Sequence, residues 1–248
     1  MSLQRNQLKF VIFEARLDQE MVEHERSCVA RAGQLSPDQI LVVDLTKVLP
    51  TLDMLEGVDC MMIGGTGDYS VAKDRPAFFK PLVEVTLAAL ERGLPSLGLC
   101  YGFHLMAEAV GGRVVRSPQQ GETGTHEVRL TQAGKDDVVL RDMPARFLAQ
   151  QGHNDVVEDV PAPFIRLAES ERCFWQAFCH PEKPFYGFQF HPELGREDFM
   201  VRMRKYAHEY AQTPEKFQEI DDQVKETAIQ AVVSNYIDRI VLKQLAAS

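Results

Sequence analysis

The sequence predicts an α/β fold: an open, mostly parallel sheet flanked by helices, followed by a helical extension. Three observations carry this. Short apolar runs alternate with longer helix-period stretches through the first half of the chain. From Glu127 to Phe190 the segments become shorter and alternate, and after Glu193 the pattern is helical again. The expected division is an α/β domain over residues 1–195 and a helical extension packed on it over residues 196–248.

The individual elements rest on the same patterning. Leu8 to Phe13, Ile40 to Val43, Val58 to Ile63 and Pro95 to Leu99 are short apolar runs with β-branched or aromatic residues, as in strands buried on both faces. Between them Asp18 to Ala32, Ala77 to Arg92 and Gly102 to Val110 have helical period. Further strands, some antiparallel, are expected at His126 to Leu130, Phe147 to Gln150, Phe164 to Ala168, Phe174 to Phe178 and Phe185 to Phe190. Pro214 behind Thr213 marks a helix start. Ile229, Val232, Val233, Tyr236, Ile237, Ile240 and Val241 recur at three-and-four spacing, giving the last helix an apolar face expected to pack on its own domain. The charged stretch Glu215 to Glu226 reads as a solvated helical face. No internal repeat or low-complexity segment is present.

Bulk properties narrow the function. With 248 residues and 45% hydrophobic content the chain can bury a sizeable core. A net charge of −9 argues against nucleic-acid or membrane-surface binding, which favours a basic stripe. Five irregularly placed cysteines do not form a disulfide framework, the N-terminus lacks the halves of a signal peptide, and no apolar run approaches about twenty residues. The expected location is therefore the cytoplasm.

In Gly98-Leu99-Cys100-Tyr101-Gly102 a strand-like run meets a helix-like one with a cysteine between two glycines, the form of a strained elbow that projects its side chain out of the sheet. At a helix start the free amides and the dipole favour negative charge on sulfur. Cys100 is thus a candidate nucleophile, and the alternative is a buried, inert thiol. A base for it is offered twice, in His180-Pro181-Glu182 and in His191-Pro192-Glu193. The first copy, followed by Lys183-Pro184, has the composition of a hairpin loop. The second closes a strand-like run, where residues two apart point the same way, so Glu193 can orient His191. Gly64-Gly65-Thr66-Gly67 comes after another strand and would let backbone N–H groups approach a substrate, or is a plain turn. Cys173, Cys179 and His180 lack metal-ligand spacing, and no metal or cofactor is expected; Cys28 and Cys60 read as core.

From about Leu8 to Phe199, and most clearly at Gly98 to Gly112 and Tyr186 to Glu193, the chain resembles class I glutamine amidotransferase domains, in particular the amidotransferase part of GMP synthases. The resemblance implies a flavodoxin-like sheet and glutamine hydrolysis through a Cys100-His191-Glu193 triad and a thioester. It also implies an oxyanion hole from the amides of Gly65 and Tyr101, and a loop at His153, Asn154 and Asp155 that holds the amino-acid end of the substrate. The chain has no room for an ATP-dependent synthetase domain beyond this module, so a separate synthetase subunit is the expected partner. One position departs from the pattern: His104 stands where the family has glutamine. It can hydrogen-bond the ligand or be a packed helix residue, and it leaves open a γ-glutamyl peptide as substrate, or a silent binding module of the same fold.

Overall fold

A computed structural model describes residues 4–211 and 213–247. The first half forms β1 (Phe10–Glu14), α1 (Gln19–Gly33), β2 (Ile40–Asp44), β3 (Cys60–Ile63), α2 (Phe79–Arg92), β4 (Ser96–Leu99) and α3 (Tyr101–Ala109). The middle adds β5 (Arg113–Arg116), β6 (Glu122–Leu130), α4 (Gln132–Asp136), β7 (Arg146–His153), β8 (Asp155–Asp159), β9 (Ile165–Glu169), β10 (Ala177–Cys179) and β11 (Phe185–Phe188). The C-terminal part is α5 (Arg196–Lys205), α6 (Ala207–Tyr210), α7 (Pro214–Gln223), α8 (Ala231–Tyr236), a π-turn (Ile237–Val241) and α9 (Leu242–Ala247).

Nine strands form one sheet in the order β2-β1-β3-β4-β11-β10-β9-β6-β7. β2, β1, β3, β4 and β11 run parallel, and the remaining pairings are antiparallel. β5 and β8 make a separate antiparallel pair. Alternation along β1 builds two core layers. Phe10 and Ile12 face Val29 and Ala30 of α1 and Val232, Val233 and Tyr236 of α8, while Val11 and Phe13 face Leu82 and Val85 of α2 and Phe103 of α3. Burying each such side chain stabilises by about 1.5–3 kcal/mol.

Local signals explain the element ends. The Asp18 side chain accepts from the Met21 amide to start α1, and Thr213 caps α7 through the Lys216 amide with Pro214 in the first turn. The apolar C-terminal face is covered by α1 and the sheet, as its spacing suggested, but the helix is interrupted by the π-turn at Ile237.

Two expectations need correction, and one element is new. β2 is an edge strand rather than one buried on both faces, with Leu41 exposed. Phe174 lies outside β10, exposed and stacked under the Arg166 guanidinium. The β5–β8 ribbon was not anticipated, because Arg113–Arg116 and Asp155–Asp159 are too short and too polar to read as strands.

Candidate active site

β4 and β11 are neighbours in parallel register, with Gly98 opposite Gly187 and Leu99 opposite Phe188. The residues after each strand therefore emerge side by side at the carboxyl edge of the sheet. After β4 comes Cys100, at φ +52° and ψ −100°, a positive-φ conformation outside the left-handed helical well that a cysteine adopts only under constraint. The constraint is visible. The Cys100 amide donates to Phe188 O at 2.9 Å, its carbonyl accepts from the His104 amide at 3.1 Å, and α3 is pressed onto the sheet. A Cβ at Gly102 would lie 2.2 Å from Ile63 O, and one at Gly98 would lie 2.4 Å from Met106 Sδ. Both glycines are thus required by close approach.

After β11 comes His191, whose amide donates to Gln150 O of β7 at 3.0 Å. Its Nδ1–H donates to Glu193 Oε1 at 2.8 Å, which leaves the other ring nitrogen for the cysteine. Burial opposes protonation of this ring, yet the Glu193 carboxylate and the Cys100 sulfur raise its pKa to about 9. Glu193 is fully buried, which disfavours its charge, but His191 and Arg202 lower its pKa to about 2. Arg202 Nη1, from α5, donates to Glu193 Oε1 at 2.9 Å.

Behind this pair lies a buried charge cluster that the sequence did not reveal. Arg16 Nε donates to Glu25 Oε2 at 2.6 Å, and Arg202 Nη2 stands 4.0 Å from the same oxygen. Burial and the nearby Glu25 push the Glu14 pKa well up. Glu25 and Glu193 lie against two guanidiniums, Arg16 and Arg202. Glu14 packs against Gly64, where a Cβ would come within 2.5 Å of its Oε1.

Gly65 and Tyr101 flank the thiol but differ. Tyr101 opens α3, and its amide has no acceptor among the described residues. The Gly65 amide, expected to face an oxyanion, is instead engaged by Glu25 Oε1 at 2.8 Å. Glu25 keeps its charge between Arg16 and Arg202 and is accordingly a strong acceptor.

On the other side of Cys100 a cleft is lined by His104, His153, Asn154 and Asp155 together with Ser70, Arg116 and Tyr210. His104 is both packed and cleft-lining. Its Nε2 donates to Gln189 Oε1 at 2.5 Å, and burial lowers its pKa to about 4, so the ring is neutral. His153 Nδ1 donates to Asp155 O at 2.8 Å. Asp155 accepts from Ser70 Oγ and the Ala72 amide, and Asn154 Nδ2 donates to Glu209 at 3.3 Å. Tyr210 of α6 donates to Gly152 O at 2.9 Å, the same oxygen that lies 3.6 Å from Cys100 Sγ.

The structure thus brings all nine expected site residues into one region. The other His-Pro-Glu copy is not among them: His180 lies in the loop between β10 and β11, its ring accepting from the amides of Glu182 and Lys183. Sequence reasoning missed Arg16, Glu25, Arg202 and Tyr210. The one available signal was Arg202 on the apolar face of α5, between Phe199 and Met203. Among the described residues, His24, Cys28 and Asp198 alone group potential metal donors, within 4.8 Å of one another. Arg31 Nη2 donates to both Asp198 and Cys28, and burial raises the Cys28 pKa to about 12, so these donors fit a guanidinium better than a dication.

Comparison with known proteins assigns this geometry to a family. The family model for class I glutamine amidotransferases matches residues 34–205. The chain belongs to the class I glutamine amidotransferase family. This amidotransferase is 36% identical over 104 residues to the glutamine-hydrolysing GMP synthase of Aliivibrio salmonicida, covering 42% of this chain and 19% of that protein. It is likewise 36% identical over 116 residues to the enzyme of Shewanella oneidensis, covering 45% and 22%. The matched segment is about a fifth of the length of these relatives. Among solved structures, a glutamine amidotransferase from Thermotoga maritima superposes with a TM-score of 0.75 at 22% identity, covering 94% of this chain and 98% of that one. A GMP synthase subunit-like protein from Thermoplasma acidophilum gives 0.58 at 22% identity, covering 82% and 96%. These likenesses show the fold. No helix among the described residues is long and apolar enough to cross a membrane.

Proposed function

We propose that this amidotransferase hydrolyses the side-chain amide of glutamine through Cys100, His191 and Glu193 and supplies ammonia to a separate ATP-dependent synthetase in the cytoplasm. The observation that carries it is the pairing of a constrained cysteine with a histidine, its pKa raised to about 9, at the ends of adjacent parallel strands. His191 takes the thiol proton, sulfur attacks the amide carbon, and negative charge develops on the carbonyl oxygen. The Tyr101 amide is available to that oxygen, and the Gly65 amide joins it on exchanging Glu25 for the substrate. Ammonia leaves as the thioester forms, and glutamate leaves after water opens it. His104, His153, Asn154 and Asp155 hold the amino-acid end of the substrate. Similarity to GMP synthases supports glutamine as the substrate and a synthetase as the acceptor of ammonia. A second reading, hydrolysis of γ-glutamyl peptides, draws on His104 in the cleft.

The test is release of glutamate and ammonia from glutamine, with Cys100→Ser as control. His191→Ala should abolish acyl-enzyme formation, while His180→Ala should leave it intact. The reverse pattern, or turnover that survives Cys100→Ser, overturns the proposal.

A further inference from the structure

Two cavities meet at Cys100. The first, about 160 Å³, is the cleft of His104 and Asp155. The second, about 30 Å³, is walled by His191, Leu194, Phe199, Met203 and Tyr206. Tyr210, held on Gly152 O, borders both. We propose that the second cavity is the leaving-group subsite, and that Met203 and Tyr206 restrict the leaving amine to ammonia, excluding γ-glutamyl amides of larger amines. This rests on the hydrolytic reading above and decides between its two substrates.

The assignment of sides comes from proton transfer. When the tetrahedral intermediate collapses, the C–N bond breaks and its electron pair passes to nitrogen, which takes a proton from His191. The carbonyl re-forms as a thioester on Cys100, and NH₃ departs. The group giving that proton must be within hydrogen-bond reach of the nitrogen. His191 lines the second cavity and not the first, so the nitrogen lies in the second and the acyl chain in the first.

Size then sets the selection. At about 30 Å³, against about 160 Å³ for the cleft, the second cavity has room for a water-sized group such as ammonia but not for an amino acid. The walls are buried, with Phe199, Met203 and Tyr206 almost fully enclosed. Tyr206 is fixed: its hydroxyl accepts from Arg16 Nη1 at 3.1 Å and donates to Asp68 Oδ2 at 3.2 Å. Its ring fills the space a Cβ on Gly67 would need, 2.3 Å away. The lining also favours the neutral form of the leaving ammonia. Arg202 lines this cavity with Nη2 buried and without a hydrogen-bond acceptor. A neutral amine offers it a lone pair, whereas an ammonium offers none and meets the charges of Arg16 and Arg202.

The experiment measures kcat/KM for glutamine and for γ-glutamylglycine on the full chain, as wild type, Met203→Ala and the milder Met203→Val. The ratio of the two substrates cancels any loss of folded protein. The wild type should favour glutamine by more than about tenfold, and Met203→Ala should narrow the ratio by about tenfold, the scale of a few methylenes in an apolar pocket. A wild type that cleaves γ-glutamylglycine as well as glutamine overturns the inference, as does a ratio unchanged in both variants. Turnover of neither substrate, with no acylation of Cys100, refutes the hydrolytic reading itself.

Discussion

Replacing Glu193 with glutamine should move the alkaline limb of the activity profile down the pH scale. The isostere keeps the hydrogen-bonding shape and removes the charge. In the native protein burial works against an imidazolium at position 191, and Glu193 with Cys100 overcomes it to hold the pKa at about 9. Against the ordinary value of 6.5, that represents about 3 kcal/mol in favour of the protonated ring. Without the carboxylate only the Cys100 sulfur opposes burial, and the His191 pKa should fall from about 9 toward its ordinary 6.5. One pH unit above that value only about a tenth of the rings carry a proton, so near-neutral kcat/KM should fall by about tenfold or more. The assay is kcat/KM for glutamine from mildly acidic to alkaline pH, in wild type and Glu193→Gln. A wild-type limb near pH 9 that stays in place in the variant would show that Glu193 does not set the charge of His191.

The same geometry sets three further outcomes. Because the Glu193 pKa is lowered to about 2, its contribution to stability is fully present above about 4.5 and is lost as pH falls toward 2; urea midpoints across that window should drop, and Glu193→Gln should flatten the dependence. Arg202→Leu removes the cation shared by Glu193 and Glu25, leaving Arg16 as the one guanidinium against two buried carboxylates, and should destabilise by about 3–5 kcal/mol in urea unfolding; a loss below about 1 kcal/mol would refute its role in the cluster. Iodoacetamide at neutral pH should modify Cys100 first in peptide mapping, since burial raises Cys28, Cys173 and Cys179 to about 12 and pushes Cys60 up as well. Equal labelling of all five would contradict that selectivity.

The parts of this molecule legible in its sequence are those fixed by local rules. The elbow at Cys100 showed through its glycines because close approach of α3 to Ile63 and of Met106 to β4 leaves no alternative residue. The choice of His191 over His180 rested on strand alternation against loop composition, and the structure puts His180 in the loop. What was hidden is non-local. Arg16 and Glu25 meet Arg202 only through packing of α1 against α5, and beyond the apolar neighbours of Arg202 no local pattern marks a guanidinium as buried. The Glu25 bond to the Gly65 amide is equally out of reach, since it joins a helix to a loop after a different strand. Edge position is also a property of the assembled sheet, which is why β2 reads as buried and is not.

The adjacency of β4 and β11 has a consequence for what this scaffold tolerates. The thiol and the imidazole are carried just past the ends of two adjacent hydrogen-bonded strands, which lie about 4.8 Å apart. Everything between them in the chain, from Tyr101 to Pro184, is an excursion that leaves β4 and returns beside it. That excursion carries His104, His153 and Asp155, whereas Leu194, Phe199, Met203 and Tyr206 on the His191 side come after β11. Provided that Gln150, which holds the His191 amide, and Arg202, which holds Glu193, stay in place, length and composition can drift in either segment around one bond-breaking centre.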